Sequence, residues 1–327
     1  MALEDGALFH TKKGKPVELP QPLAPLADTH GHLTAFRKAR ASDALVRAAL
    51  AGVHLLVVPV DPADDVEDVP TFLSWFGQTV EDARTMLAEL ADRGVVPPEF
   101  EGYESAPALV DNVYFCAGVH PYGARDFLDD ARIRERMELL LQSERCVGVG
   151  EIGLDYGPWN ELPANVQAEA FRAQLRMAHE RKMPVELHLR DAQNDEQALA
   201  HVDAYRILVE EGIPQAGCDL HCFTCGPEVM RPFVEQGCYI AFGGAATFAR
   251  SEGIREAAAQ CPSNLILSET DSPYMAPVPL RGQECEPGMV SLSVATLAEV
   301  RERALGCTRK TVYEGLWHNA NAFFGLA

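Results

Sequence analysis

The sequence predicts an α/β fold, a single closed (β/α)8 or TIM barrel, on three observations: eight short apolar runs, helical segments between most of them, and polar residues of metal-ligating type at the end of run after run. Strict alternation of strand and helix gives a parallel sheet with right-handed crossovers. Eight units in 327 residues favour closure over an open doubly wound sheet. No internal repeat and no low-complexity tract interrupts the pattern.

Residues 1–25 carry Lys12, Lys13 and Lys15 among Pro16, Pro20, Pro22 and Pro25, which predicts an irregular N-terminal arm ahead of one barrel domain over 26–327. Leu26 to His30 reads as the first strand and Gly31 to Leu33 as the turn that leaves it. Ser42 reads as the N-cap of a helix through Ala51, and Val53 to Val60 as the second strand. Residues 61–110 form an enlarged connection. It holds an acidic run from Asp61 to Asp68, read as a solvated face, and a helix from about Thr71 to Asp92 whose Trp75 and Phe76 pack on the barrel.

The third strand is Asn112 to Val119, followed by a charged helix from about Leu128 to Ser143. Cys146 to Val149 reads as a fully buried fourth strand, thinned by Gly148 and Gly150, that delivers Glu151 into a glycine-flanked turn. A helix from about Asn165 to Lys182 puts Phe171, Leu175 and Ala178 on one face. The strands Val185 to His188, Cys218 to His221, Tyr239 to Phe242 and Asn264 to Asp271 complete the eight, with helices near Glu196 to Glu211 and Pro227 to Gln236.

The balance of 28 Lys and Arg against 48 Asp and Glu gives a net charge of −20. Such a chain does not capture duplex nucleic acid or an anionic membrane by bulk electrostatics. A polyanionic substrate would need local cations, either Arg side chains or bound metal. Nine cysteines, an odd number without a signal-peptide pattern, predict reduced thiols rather than a disulfide framework. No apolar run reaches the roughly 18 residues of a membrane span. The expectation is a soluble cytoplasmic enzyme with no membrane association and no obligate protein partner.

The chemistry lies in where the polar residues stand. His30 and His32 follow the first strand, His120 the third and Glu151 the fourth, while His188, His221 and Asp271 end the fifth, sixth and eighth. In a barrel, the C-terminal ends of the strands form the one rim where catalytic groups from distant chain segments meet. A lone acid such as Glu151 at a strand end is strongly desolvated unless it is paired, protonated or metal-bound. Histidines with two carboxylates suffice for two ions sharing Glu151, a donor set suited to Zn²⁺, Mn²⁺, Co²⁺ or Fe²⁺, and to Mg²⁺ where carboxylates dominate. Taken singly, a strand-end His is more often a hydrogen-bonded structural residue, and Asp271 before Ser272-Pro273 reads equally as a turn cap. Six such residues of ligand type on one face, His30, His32, Glu151, His188, His221 and Asp271, are hard to explain as independent accidents. Cys222 and Cys225, with Cys218 nearby, read as ordinary free thiols; His54, His179, His201 and His318 read as structural or solvated, and His10 in the arm is uninformative.

The motifs Asp28-Thr-His-Gly-His32, Gly118-Val-His-Pro121, Gly150-Glu-Ile-Gly-Leu-Asp-Tyr156, His188-Leu-Arg-Asp-Ala192, His221-Cys-Phe223 and Glu269-Thr-Asp-Ser-Pro273 resemble, in that order, the TatD family of metal-dependent deoxyribonucleases. Asn319 to Phe324 is similar to that family's ending, so the resemblance runs from about Asp28 to Phe324. It implies a TIM barrel that hydrolyses DNA phosphodiesters, single-stranded or at 3′ ends, as a 3′→5′ exonuclease with two divalent ions, Mg²⁺, Mn²⁺ or Zn²⁺. His30, His32, Glu151 and Asp271 would hold one ion; His188, His221 and the bridging Glu151 would hold the other. His120 and Arg190 would lie beside the substrate phosphate.

Two cations about 3.5–4 Å apart would activate water and offset charge on the leaving oxygen. Asp271 would take the water's proton, His120 would donate to the phosphate or leaving group, and Arg190 would fork onto a phosphate oxygen. Glu269, alternating with Asp271 along the last strand, would act through a bound water or from behind the ligands. The chain departs from the family pattern in its longer arm, its longer acidic connection and Leu189, which stands where a small polar residue is common. A competing reading is an amidohydrolase-type enzyme cleaving an amide, ester or cyclic imide, including a deacylase of charged tRNA, because that superfamily shares the His-X-His, His, His, Asp order. There a modified Lys commonly bridges the metals, whereas here the fourth strand carries Glu151. A third reading, a non-catalytic metal-binding barrel, sits poorly with a complete ligand set.

Overall fold

The computed structural model of the chain describes residues 6–326. A short antiparallel hairpin, β1 (Phe9–His10) with β2 (Pro16–Val17), precedes the barrel. Then follow β3 (Leu26–Asp28), α1 (Ala41–Leu50), β4 (Val53–Val60), α2 (Val69–Ala91), β5 (Val113–Ala117), α3 (Ala124–Asp129), α4 (Ala131–Leu140), β6 (Cys146–Asp155), α5 (Ala164–Arg181) and β7 (Val185–Arg190). The chain continues through α6 (Leu199–Glu211), β8 (Cys218–Leu220), α7 (Pro227–Glu235), β9 (Tyr239–Phe242), α8 (Glu252–Gln260), β10 (Ile266–Ser268), α9 (Val290–Leu305) and α10 (Arg309–Phe324). Strands β3 to β10 lie side by side in sequential order, every pair parallel, as expected for a (β/α)8 barrel. No helix among the described residues is long and apolar enough to cross a membrane.

The seam between β3 and β10 is closed largely by side chains and turn backbone. Thr29 N–H donates to Ser268 O at 3.1 Å, and Ser268 Oγ donates to Ala27 O at 2.8 Å. Just above, the buried Asp28 accepts from Thr270 N–H at 2.8 Å and from Thr270 Oγ1 at 2.6 Å. Asp271 N–H then donates to His30 O at 2.8 Å.

Strand alternation divides the core in two. On β4, Leu56, Val58 and Val60 face the surrounding helices, while Leu55 and Val57 join Ala27, Cys116, Ala241 and Leu267 in an inner layer. Trp317, Phe323 and Phe324 of α10 pack against that inner layer and cover the N-terminal end of the barrel. Asn319 fastens this helix, donating from Nδ2 to both Ser263 O and Ile266 O at 2.9 Å.

Several sequence expectations change. The arm is not irregular throughout: the hairpin buries Phe9 and Val17 against Ala276, Leu280, Cys285 and Met289. Ser42 does not cap α1; it lies buried inside the first turn, with Arg40 at the cap position. The preceding backbone is held instead by Glu284, which accepts from Arg37, Lys38 and Ala39, a partner some 245 residues away that no local pattern announces. The helix expected over Leu128 to Ser143 is broken at Asp130, whose carboxylate accepts from Arg132 N–H at 2.9 Å and caps α4. The periodicity argument assigns no helix to α8 or α9. In α9, Ser291, Ser293 and Arg301 are buried beside Val290, Val294 and Leu297, so no one-sided apolar stripe marks it. In α2, Phe76 packs edge-to-face on Phe115 at 5.6 Å, whereas Trp75 stays exposed.

Asn319→Ala removes both bonds to buried carbonyls, and the expected outcome is a loss of about 2–3 kcal/mol of stability in urea unfolding. A loss below about 0.5 kcal/mol would show that α10 is held by its apolar face alone.

Candidate metal centre

The site begins with an irregularity in β6. The pairing of β6 with β7 shifts register between Val149 and Ile152, so Glu151 lies within a ten-residue strand at a bulge rather than in a turn after it. A bulge re-aims a side chain, and here it turns a carboxylate into the barrel. Glycine is required on both sides. A Cβ on Gly150 would stand 2.5 Å from Glu186 Cβ, and Gly153, with φ 145°, would drive a side chain into the His188 carbonyl.

Each oxygen of Glu151 faces a different pair of imidazoles. Oε2 lies 3.2 Å from His188 Nδ1 and 2.9 Å from His221 Nε2, and those two nitrogens are 3.1 Å apart. Oε1 lies 3.7 Å from His32 Nε2, which is itself 3.2 Å from His30 Nε2. Asp271 Oδ1 closes the second group at 3.8 Å from His30 and 3.6 Å from His32. The rings of His30 and His221 stack at 3.9 Å and join the two groups. Asp271 is held with φ 54°, a left-handed conformation that Asp tolerates better than most residues.

A second ring of contacts orients the first. His188 Nε2 is 3.0 Å from Asp155 Oδ2, leaving Nδ1 for the centre. The carboxylate of Asp155 also accepts from Gly157 N–H at 2.7 Å. His120 Nδ1 accepts from Tyr122 N–H at 3.2 Å, so its proton sits on Nε2, and Asp61 Oδ2 accepts from His120 N–H at 3.1 Å. Arg190 reaches the mouth, with Nη1 3.4 Å from Asp155 and 3.3 Å from Tyr122 Oη and its guanidinium over the Trp159 ring.

Burial alone would push Glu151 up, but the His221 and His188 rings outweigh it and hold the carboxyl well below the usual range. Burial opposes a charge on His188, yet its bonds to Asp155 and Glu151 raise it to about 9. His30 is driven well down by burial and then by His221. His120 falls to about 3 through burial and the nearby His188, which favours a neutral ring with its proton on Nε2. Beneath the rings, burial pushes Glu186, Asp219 and Glu269 well up, and for Glu186 the neighbouring Asp219 adds to it.

This donor chemistry fits cations. An ion with ligands at about 2.0–2.1 Å in tetrahedral array sets its ligand atoms about 3.3 Å apart, close to the triangle of Glu151, His188 and His221. Facing imidazole nitrogens about 3 Å apart need a proton or a cation between them. Buried polar atoms without a hydrogen-bond partner also gather here: His221 Nδ1, Glu269 Oε2, Glu186 Oε2 and both oxygens of Asp219, while His30 Nδ1 faces Glu186 Oε1 at 3.0 Å. Three sets here have their ligand atoms within 4.8 Å of each other: His30 with His32 and Asp271, His30 with His221 and Glu269, and, sharing no residue with these, His120 with Glu151 and His188. His120 thus stands closer to Glu151 and His188 than a purely phosphate-facing residue requires.

The residues expected at the rim, His30, His32, His120, Glu151, His188, Arg190, His221 and Asp271, are brought to one end of the barrel. Glu269 is not where strand alternation put it. Because β10 ends at Ser268, Glu269 and Asp271 lie past the strand, and Glu269 is turned under the rings, accepting from Cys222 N–H at 2.6 Å. The acidic run is not wholly a solvated face either: Asp61 turns inward to His120, and burial raises it to about 7. Asp155, Glu186 and Asp219 were not singled out from sequence. Asp155 had a signal, four residues beyond Glu151 at the end of the same apolar run.

Residues 27–325 match the family model described as TatD related DNase. The uncharacterized metal-dependent hydrolase YcfH of Escherichia coli is 38% identical over 218 residues, 64% of this chain and 77% of its own. The 3′-5′ ssDNA/RNA exonuclease TatD of Citrobacter rodentium is 36% identical over 181 residues, 54% of this chain and 65% of its own. The solved structure of YJJV, a TatD homologue of Escherichia coli, superposes with a TM-score of 0.68 at 23% identity, covering 93% of this chain and all of the other. At that identity the superposition speaks to the fold alone.

Asp155→Asn leaves the space filled but weakens the hold on His188. The expected result is a metal affinity roughly 10- to 100-fold lower by calorimetric titration, with an unchanged circular dichroism spectrum. Unaltered affinity would remove Asp155 from the centre.

Proposed function

This chain belongs to the TatD-related DNase family and is a metal-dependent hydrolase, and from that premise we propose that it hydrolyses phosphodiester bonds of single-stranded DNA from the 3′ end. The observation that carries the reading is Glu151 offering one oxygen to each of two imidazole pairs. In this reading His30, His32, Asp271 and Glu151 would hold one divalent ion, and His188, His221 and the shared Glu151 would hold a second. Mg²⁺, Mn²⁺ and Zn²⁺ are the candidates, and the number of imidazoles favours Zn²⁺ or Mn²⁺. Bound there, the ions supply Lewis acidity toward the phosphate and offset charge growing on the leaving oxygen.

The chain's own groups do the rest. Asp271 accepts the proton of the attacking water. Neutral His120 donates its Nε2–H to a phosphate oxygen, and Arg190, permanently charged and partly exposed at the mouth, pairs with another. The name of the Citrobacter rodentium relative supports a 3′ end of single-stranded nucleic acid as substrate. The amide or ester alternative is supported at the level of the fold, and Glu151 stands at the position where that superfamily commonly carries a modified Lys.

An acidic protein at −20 has little bulk attraction for a polyanion, so grip on the strand must come from the ions and from stacking. Trp159, 72% exposed and under the Arg190 guanidinium, and Tyr122, beside His120 at 4.3 Å, are aromatic faces next to the phosphate position. Bases stack on such faces regardless of sequence.

Metal-loaded protein incubated with 3′-labelled single-stranded DNA, RNA and a panel of amides and esters tests the class: DNA is expected to be shortened, and cleavage of only the amide and ester panel would overturn the proposal. Glu151→Ala is expected to lose bound metal and all hydrolysis while keeping its circular dichroism; normal turnover with full metal content would remove the bridging role. Trp159→Ala is expected to raise KM for single-stranded DNA by roughly 5- to 30-fold, about 1–2 kcal/mol of stacking, with a small phosphodiester hydrolysed as before. An unchanged KM would dismiss the aromatic face.

A further inference from the structure

Apart from the metal centre, Asp191, His201 and Cys225 form a linear chain of groups. Asp191 Oδ2 is 2.7 Å from His201 Nδ1, and the other Asp191 oxygen accepts from Ala200 N–H at 2.8 Å at the start of α6. The carboxylate is therefore fixed by backbone, and it fixes the ring. With its Nδ1 proton committed to Asp191, His201 turns the lone pair of Nε2 toward Cys225 Sγ, 4.0 Å away. His201 is buried among Phe223 and Phe233, while Cys225 is partly exposed. Carboxylate, imidazole and thiol in this order are the parts of an activated nucleophile: a base oriented by a third group and aimed at an acidic hydrogen.

We propose that Cys225 is a nucleophilic thiol, activated by His201 and Asp191, that forms covalent adducts with soft electrophiles. In the step, the Sγ–H proton passes to His201 Nε2, and sulfur forms a bond to the electrophilic carbon as the leaving group departs with the bonding electrons. Asp191 stabilises the imidazolium so formed. Burial opposes that charge, but the bonds to Asp191 and Cys225 outweigh it and raise His201, which favours the imidazolium once the thiol has given up its proton. Asp191 directly follows Arg190, and Cys225 follows His221 by four residues, so an adduct would sit on the same strand-end loops as the metal centre. The proposal does not depend on what that centre hydrolyses.

The chain carries its own control. Cys307 is also partly exposed, but its Sγ donates to the Arg301 carbonyl at 3.7 Å, and no imidazole stands beside it among the described residues. Iodoacetamide in limiting amount at neutral pH, followed by peptide mass mapping, gives the alkylation rate of each thiol in the intact protein. Cys225 is expected to react about tenfold faster than Cys307 or more, and His201→Gln is expected to bring Cys225 down to the Cys307 rate without changing Cys307. Asp191→Asn should lower the Cys225 rate part of the way. Rates for Cys225 and Cys307 within about twofold in the unaltered protein would overturn the proposal, as would a Cys225 excess that survives His201→Gln.

Discussion

The site depends on the stitch that joins the first barrel strand to the last. Eight strands can lie in sequence and still leave an open sheet unless β3 meets β10, and here the two are bound by Asp28, Thr270, Ser268 and backbone around them. Asp28 lies wholly buried, and burial raises it to about 8 against the pull of its Thr270 bonds. A group so placed is costly to leave unpaired. Thr270 is therefore part of the closure. Once the seam is shut, His30 O accepts from Asp271 N–H, and residues about 240 apart in sequence become neighbours. The pair of imidazoles from the first strand and the carboxylate from the last meet only because of it.

Above that seam the interior is graded along the barrel axis. The lowest layer is apolar and closed by the aromatics of α10. The next holds Glu186 and Asp219, paired across β7 and β8, with Glu269 beside them. Three carboxyls in so dry a place hold protons unless positive charge is near, since burial and mutual repulsion both act against ionisation. The imidazoles lie immediately over them, with His30 Nδ1 3.0 Å from Glu186 Oε1. A cation drawing on His30 Nε2 would favour an Nδ1 proton shared with Glu186, so acid layer and ion site reinforce each other. On β7 the gradient is visible in one strand: Glu186, His188 and Arg190 point inward at successive alternate positions, from floor to mouth.

Much of this was legible because barrel chemistry writes itself at the ends of apolar runs. His30, His32, His120, His188 and His221 each stand where a hydrophobic stretch stops, and strand order alone sends them to one rim. Other features had no local trace. The bulge at Glu151 follows from how β6 pairs with β7, so the sequence offered glycines but not the change from turn to bulge. Asp61 looked like one acid in a solvated run and became a partner of His120 only through the fold. Asp155 was passed over because the fourth strand reads as ending at Val149, whereas β6 runs on to Asp155 and carries it to the rim. In α9 the burial of serines and an arginine erased the stripe by which a helix is recognised, and Arg301 is satisfied by the carbonyls of Ala258 and Cys261 rather than by water.

The same separation divides what the fold determines from what the loops determine. Glu151, its flanking glycines, Glu186 and Asp219 are built on strands, where a Cβ at Gly150 would collide with Glu186; that part can change only by rebuilding the barrel wall. The groups nearest the mouth are of another kind. Tyr122 and Trp159 stand in connections after β5 and β6, and Asp61 begins the enlarged connection after β4. Such segments accept insertion and substitution with little effect on the core. On the proposed reading, hydrolytic capacity and polymer preference would be set by different parts of this molecule, and the long acidic connection beside the mouth would act on the second. On that reading, negative charge there would oppose a duplex, whose two backbones approach together, more than a single strand end that can enter alone and stack.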